Sequence, residues 1–411
     1  MAVNRVASVD AALDGEAGRE ARRLIELDDR RRDGVFFTSS PLREFAFEGV
    51  SSSITKNSVL FDPACGAGDL LLAATDHMPL QATLAATLKA WSAMLIGCDL
   101  HAEFTRTCRM RLLLAAWRRH QFRGTKQTRT KSWFGGIRKC CGLANNAGYQ
   151  RATHILMNPP FAHQSADINC DWASGKINSA AVFLMQAIEA SSEGTRIVAI
   201  LPEVIRCGTR YGRLRDLIAQ QSQLNRIASF GVFDRHADVD VFVLDITTRQ
   251  PQGARSSSAW DWKTDLKTSA TVSKYFDVYV GSVVDYRDAC QGRWFPYLTV
   301  NSIAPWGEAF DVACRRRFPR RVTRAPFVVI RRTSRPGDKF RAVGAIVRGT
   351  KDFAVDNHLI VCKPLDNTLR SCRRLVSLLR EESTSRFLDQ TIRCRHLTVD
   401  SIKSMPWVNC G

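Results

Sequence analysis

Three short stretches of this chain carry residue types able to do chemistry together. In Phe61-Asp62-Pro63-Ala64-Cys65-Gly66-Ala67-Gly68-Asp69-Leu70-Leu71, two glycines stand one residue apart between an apolar run and an amphipathic one. A Gly66-x-Gly68 turn lets backbone approach a ligand where a side chain would collide. No third glycine follows at dinucleotide-fingerprint spacing, and no Lys-Ser/Thr pair follows as in a P-loop. Asp62 and Asp69 bracket the turn instead; carboxylates repel a pyrophosphate and suit a cationic, amino-acid-bearing ligand. The second stretch, Ile96-Gly97-Cys98-Asp99-Leu100, ends an apolar run on Asp99, where a carboxylate can accept hydrogen bonds from ribose hydroxyls. The third is His154-Ile155-Leu156-Met157-Asn158-Pro159-Pro160-Phe161. Its two prolines end a strand and hold the following backbone extended and rigid. Nearby His163 reads as an ordinary loop histidine, and Cys65, inside the glycine turn, as small-residue packing.

Positioning these stretches requires an α/β domain. From Asn57 to Asp245 short apolar runs alternate with amphipathic ones, the pattern of a mostly parallel sheet covered by helices. Strands are expected at Ser58–Phe61, Met94–Cys98, His154–Met157, Arg196–Leu201, Leu224–Phe230 and Val239–Ile246. Helices are expected at Asp69–His77, Glu103–His120, Ala180–Ser191 and Tyr211–Gln221, with an additional helix within Thr75–Ser92. The last two strands, joined through Gly231–Asp238 with no helix, should pair as an antiparallel hairpin. A polar tract from Thr247 to Ser258, with Pro251, Gly253 and three serines, reads as a linker. Beyond it, runs such as Phe327–Ile330 and Leu359–Cys362 and a helix-like Leu369–Glu382 indicate a smaller α+β domain. The expected division is residues 1–250, including an N-terminal helical segment over 1–50, and residues 251–411.

Composition narrows the function classes. With 45% apolar and 24% charged residues, the 411-residue chain reads as a globular cytoplasmic protein. No run of about 18 apolar residues occurs, which argues against a membrane span. The polar opening that includes Asp10, Asp14, Glu16 and Arg19 is unlike a signal peptide. Thirteen cysteines without metal-ligand spacing indicate reduced thiols, with neither metal site nor disulfide framework. The net charge of +19 is concentrated: Phe104–Ala166 holds twelve Lys or Arg and no acid, and Asn301–Thr350 holds twelve against three acids. Basic surface confined to two stretches points to a polyanion held between them.

The order of these motifs resembles the gamma-class amino-methylating DNA methyltransferases of restriction–modification systems, over nearly the whole chain. Phe36-Phe37-Thr38 with Pro41 is similar to the family's N-terminal cofactor motif, Asp62–Leu71 to its main loop, Asp99 to its ribose-binding acid, and Asn158–Phe161 to its catalytic tetrapeptide. Gly231-Val232-Phe233 is similar to the hairpin segment that supplies a second aromatic to the target base. The resemblance implies a Rossmann-like class I methyltransferase domain with a mixed seven-stranded sheet and an antiparallel C-terminal hairpin. It implies S-adenosylmethionine as cofactor, carrying the sulfonium and ammonium groups that the two carboxylates suit. Thr38, Asp62, Ala64, Gly66, Gly68, Asp69 and Asp99 would bind it. Adenine N6 in double-stranded DNA would be the methyl acceptor. An adenine amino group is a poor nucleophile; carbonyls of Asn158 and Pro159, each accepting one N–H, would make its nitrogen more tetrahedral and aim its lone pair at the methyl donor. The base must leave the duplex stack, and Phe161 with Phe233 would hold it from either face.

The resemblance places a target-recognition domain after residue 250, where Arg315, Arg316, Arg317, Arg320, Arg321, Arg324, Arg331, Arg332 and Arg335 are DNA-binding candidates. A cognate restriction endonuclease or defence-system subunits are the implied protein partners. Two departures stand out. The acid that usually follows the third strand falls near Gly142, in a stretch without acids where only Asn145 or Asn146 could substitute, and Ser39 follows Thr38 in place of proline. Other readings are methylation of RNA adenine or a protein glutamine, or a DNA-binding subunit with a weakened cofactor site.

Overall fold

A computed structural model describes residues 12–13, 38–121, 133–165, 170–233, 239–249 and 270–407. The expected helical opening before residue 38, Phe36-Phe37, most of the linker and part of the 231–238 turn lie outside the described residues. The chain divides into two compact units, one of residues 1–206 and 210–260, the other of residues 207–209 and 261–411.

Among the described residues the first unit has nine strands. They are β1 (Leu60–Asp62), β2 (Leu95–Asp99), β3 (Ile137–Lys139), β4 (His154–Met157), β5 (His163–Ser165), β6 (Lys176–Asn178), β7 (Arg196–Pro202), β8 (Ser222–Val232) and β9 (Asp240–Thr248). Seven form one sheet in the order β3-β2-β1-β4-β7-β9-β8, while β5 and β6 pair as a small ribbon. The first five run parallel, β9 returns antiparallel to β7, and β8 antiparallel to β9. This is the mixed sheet with a C-terminal hairpin anticipated above.

Boundaries differ for local reasons. β1 begins at Leu60 because Ser58 closes a turn, its hydroxyl accepting from the Thr55 N–H. β2 begins at Leu95 because Met94 still belongs to a helix. β3 gives almost no sequence signal, having one buried apolar residue, Ile137, ahead of exposed Arg138 and Lys139.

Helices α1 (Ser40–Phe47), α2 (Asp69–Thr75), α3 (Leu84–Met94), α4 (Ala102–Arg119), α5 (Asn146–Arg151), α6 (Ser179–Ala190) and α7 (Gly212–Gln221) complete this unit. The additional helix expected after the glycine loop is α3, started by Thr83, whose hydroxyl accepts from the Ala86 N–H. Apolar residues of α2, α3 and α4 close on the sheet around fully buried Trp91, Leu112 and Ile137.

The second unit has strands β10 (Phe276–Val280), β11 (Arg293–Leu298), β12 (Glu308–Ala309), β13 (Arg315–Phe318), β14 (Thr323–Arg324), β15 (Phe327–Arg331), β16 (Gly344–Val347), β17 (Asp352–Val355) and β18 (Leu359–Pro364). They form a five-stranded sheet, β10-β18-β15-β16-β12, and a four-stranded sheet, β13-β11-β17-β14. Alternation along β15 explains the layering. Val328 and Ile330 face a core shared with α8 (Leu369–Leu379), α9 (Glu382–Thr391) and α10 (Val399–Lys403), while Phe327 and Val329 face Leu298, Phe353 and Val355 of the other sheet. The long helix expected over Leu369–Glu382 is broken at Arg380 and Glu381, which cap α8 and α9.

Candidate active site and nucleic-acid surface

The glycine loop leaves β1 at its carboxyl end and opens α2. Gly68, at φ +87°, precedes the helix, and a Cβ there would lie 2.4 Å from the Cys108 sulfur. Both the left-handed backbone and the close approach of α4 require glycine. Asp62 is buried, one oxygen accepting from the Ala64 N–H at 3.0 Å. Burial pushes its carboxyl well above the usual carboxylate range, opposed by the Ala64 hydrogen bond and reinforced by the negative charges of Asp99 and Asp69. Asp99 ends β2, where both oxygens accept backbone N–H groups, from Gly66 at 3.0 Å and His101 at 2.8 Å. Its carboxyl is also raised, by burial first, with those hydrogen bonds acting against it.

Asp69 occupies a different position from the one expected. One oxygen receives Nη1 of Arg111 at 2.8 Å and the other the Thr38 backbone N–H at 3.1 Å. Arg111 is 2% exposed on α4 and also donates to the carbonyls of Ala67, Ala12 and Leu13. Sequence reading counted Arg111 in the basic, acid-free stretch; the structure makes it an internal clamp between the cofactor loop and an N-terminal segment. Asp69 is thereby turned onto Arg111 and Thr38.

Thr38 links this clamp to the tetrapeptide. Its hydroxyl accepts from Asn158 Nδ2 at 3.0 Å. Among the described residues, neither Asn158 Oδ1 nor the Pro159 carbonyl receives a hydrogen bond. The loop that follows is tied to the start of α6. Asn178 Nδ2 donates to the Phe161 carbonyl at 3.0 Å, and the Ser179 N–H donates to the Ala162 carbonyl at 2.8 Å. Asn178 also caps α6 through the Ala180 N–H. The residue pair Asn178-Ser179 ahead of an apolar helix was the available signal for this staple.

Phe161 and Phe233 are brought together as expected, but against each other. Their ring centroids are 5.5 Å apart at 79°, edge to face, and Phe233 is buried. A base stacked on both rings needs about 7 Å between their planes, twice an ordinary carbon–carbon contact. One ring must therefore rotate before a base could enter. His163 is exposed on β5. Cys65 is buried, and its thiol is pushed up by a hydrogen bond with Cys108 and by burial, the state of a packed and unreactive cysteine.

The position near Gly142 has a steric explanation. A Cβ there would lie 1.8 Å from the Pro63 carbonyl oxygen, so the chain after β3 packs backbone to backbone against the cofactor loop. No carboxylate could be carried at this residue. Asn145 does not replace it: Oδ1 accepts from the Gly148 N–H and Nδ2 approaches Cys98 Sγ at 3.1 Å. Asn146 accepts from Gln186. The expectation of reduced thiols without a disulfide is corrected at one pair, because Cys98 and Cys140 are joined, their Cα atoms 5.3 Å apart. They stand at the ends of neighbouring strands β2 and β3, 42 residues apart in sequence, so no local spacing announces them.

The family is settled by sequence. The profile of the N-6 DNA methylase family matches residues 27–254, and the chain belongs to that family. No curated protein matches it in sequence. Among solved structures it is similar to the type IIL restriction-modification enzyme MmeI in complex with DNA, at 11% identity and a TM-score of 0.59, covering 94% of this chain and 70% of that one. It is also similar to a modification subunit of a putative type I restriction enzyme from Vibrio vulnificus YJ016, at 18% identity and a TM-score of 0.42, covering 59% of this chain and 54% of that one. The EcoKI M protein matches at 18% identity and a TM-score of 0.40, over 60% of this chain and 62% of its own. The chain thus spans little more than half of the Vibrio subunit's length.

Membership of the N-6 DNA methylase family implies S-adenosylmethionine as cofactor. The residues present fit that group. The loop turns through Gly66 and Gly68 in the left-handed region, and Asp62 is a buried carboxylate with no cation among its influences, a position that a positively charged ligand would relieve.

In the second unit the nine candidate arginines separate into three groups. Arg315, Arg316, Arg320 and Arg321 pair with Asp311, Asp285, Asp288 and Asp277. Arg331 and Arg332 donate to the carbonyls of Val300 and Asn357. The guanidinium groups of Arg317, Arg324 and Arg335 have no carboxylate partner among the described residues. Arg341, in the same arginine-rich stretch, is fully buried and holds Ser334, Ile392, Cys394 and Asp389. Among the described residues no helix is long and apolar enough to cross a membrane, and no cluster of His, Cys, Asp or Glu could hold a metal ion.

Proposed function

We propose that this chain is a DNA methyltransferase that transfers a methyl group from S-adenosylmethionine to the N6 amino group of adenine in duplex DNA, within a restriction–modification or phage-defence system. The observation that carries the reading is a pair of acceptors on adjacent residues, Asn158 Oδ1 and the Pro159 carbonyl, that no protein donor among the described residues occupies. An exocyclic amino group has two N–H donors and matches such a pair. Held there, its nitrogen loses conjugation with the ring and presents its lone pair, and fixed dipoles stabilise the charge that develops on it. Because Thr38 takes the amide N–H of Asn158, the carbonyl end needs no reorientation when the base arrives.

When bound, S-adenosylmethionine supplies an electrophilic methyl group. Asp62 would favour its cationic groups and Asp99 its ribose hydroxyls, with Ala64 and Gly66 beside it on the loop and Gly68 shaping the turn against α4. Thr38 and Asp69 would act from behind that surface. Phe161 would stack on a flipped adenine, with Phe233 moving aside to take the other face. Duplex DNA is the partner that the basic second unit favours, and further restriction–modification subunits would complete the assembly.

Incubating the protein with radiolabelled S-adenosylmethionine and duplex DNA, RNA and protein in parallel tests this reading. Label should enter DNA at adenine N6, and Asn158→Ala should lower the rate by at least about a hundredfold with cofactor affinity retained. Label in RNA or protein alone, or full activity of Asn158→Ala, would overturn it.

A further inference from the structure

We propose that the outer end of the β11–β13 ladder is a DNA-contact surface on which Arg317, laid against Trp294, reads a base edge. The inference rests on the DNA reading above and adds which residues meet the duplex. In the ladder Trp294 pairs with Arg317 and Pro296 with Arg315, so all four side chains share one face of the sheet. Two residues further along β11 the same face carries Leu298, which is fully buried between the two sheets. The ladder therefore runs out of the core, and its last two rungs reach solvent.

Trp294 is left 60% exposed there, with the Arg317 guanidinium 5.2 Å from its ring centroid. Arg317 has no carboxylate partner among the described residues. An arginine stacked on an indole keeps its planar fork of donors pointing outward in a restricted orientation, the form that matches the guanine edge in a major groove. The guanidinium groups of Arg324 and Arg335 are also without carboxylates, but neither lies over an aromatic ring among the described residues.

The surface continues beyond this pair. Arg315 and Lys351 share the carboxylate of Asp311, at 3.1 and 2.5 Å, and the Lys351 ammonium lies 5.5 Å from the ring centroid of Phe310, itself 57% exposed. Two exposed aromatic rings are thus joined by three cations and one carboxylate. Cations favour a phosphate backbone and aromatic faces favour bases, and the excess of positive charge selects nucleic acid over a protein partner.

The test uses the full chain with duplex DNA containing the methylated sequence, once methylome sequencing has defined it, and follows binding by fluorescence anisotropy. Arg317→Ala and Trp294→Ala should each weaken binding by about tenfold. Arg386→Ala, which removes an exposed arginine paired with Glu382 at 3.1 Å, should change it by less than about twofold. S-adenosylmethionine affinity by calorimetry should be the same in all. Arg317→Lys keeps the charge and loses the fork, so it should keep the salt dependence while relaxing the methylated sequence at one position. If wild type binds and both Arg317→Ala and Trp294→Ala bind equally well, this inference is wrong and the DNA reading stands. A wild-type chain that binds and methylates no duplex would sink both.

Discussion

The two units handle positive charge in opposite ways. In the first, three arginine pairs are drawn inside: Arg111 with Asp69, Arg196 with Asp245, and Arg206 with Glu203 all include a partner at most 2% exposed, while Arg118 and Arg213 pair at the surface. In the second, pairs such as Arg320–Asp288, Arg321–Asp277 and Arg315–Asp311 keep the arginine at least 41% exposed, and Arg341 is the deeply buried exception. Both regions are arginine-rich in sequence, yet the first uses several of these residues as internal fasteners and the second keeps most of its paired arginines at the surface. Net charge along a chain therefore locates a binding face only after buried pairs are subtracted.

Removing one fastener should give the largest contrast between the units. Arg111→Met leaves Asp69 buried, with only Arg43 near it at 3.9 Å. Stranding a buried carboxylate costs about 3–5 kcal/mol, so urea unfolding should show a loss of that order. Arg321→Met, whose pair is half-exposed, should cost less than about 1 kcal/mol. A double variant, Arg111→Met with Asp69→Asn, should recover part of the loss. Equal effects of the two single variants would erase the distinction between fastener and surface arginine.

Legibility follows the same division. Asn158–Phe161, the glycine loop and Asp99 could be placed on the sheet from sequence because each sits at the end of an apolar run, and strand-end chemistry depends on local spacing. The hairpin β8–β9 was legible because two long apolar runs are joined without a helix. Arg111 was not, since its partner Asp69 is 42 residues away and a buried arginine has the same side chain as an exposed one. Arg317 stood among the DNA-binding candidates, but its meeting with Trp294 was equally hidden: it comes only through the pairing of β11 with β13, whose register no local pattern states. The steric role of Gly142 depends on Pro63, on another loop, so the sequence offered only a missing acid.

A second contrast concerns protonation. His154, buried on β4 with its ring nitrogens on Thr153 and Ser53, is held to a pKa of about 4 by burial and by the nearby Arg196, against the pull of Asp245. The folded state binds this proton less readily than the unfolded chain, whose histidine titrates near about 6.5. The stabilising contribution is therefore complete above that pH and is lost as pH falls through the interval down to about 4. Thermal midpoints measured across this interval should decline, by up to about 3 kcal/mol in stability, and His154→Gln should flatten that part of the profile. An unchanged slope in the variant would assign the acid sensitivity elsewhere.

The smallest effect should be the most informative about the site. Thr38→Val removes the hydroxyl that accepts from Asn158 while keeping the backbone N–H that meets Asp69. The amide of Asn158 then loses its fixed orientation, and the loss of one hydrogen bond of about 1 to 1.5 kcal/mol corresponds to roughly a tenfold fall in kcat. Thr38→Ser retains the hydroxyl and should restore most of that rate. Because the lost contact orients a group and does not bind substrate, KM for DNA should hardly move. A variant whose whole defect lies in KM for S-adenosylmethionine, without rescue by serine, would make Thr38 a cofactor ligand and separate the clamp from the chemistry. A kcat defect rescued by serine would join them, through one path from buried Arg111 to Asp69, to Thr38 and to the carbonyl of Asn158.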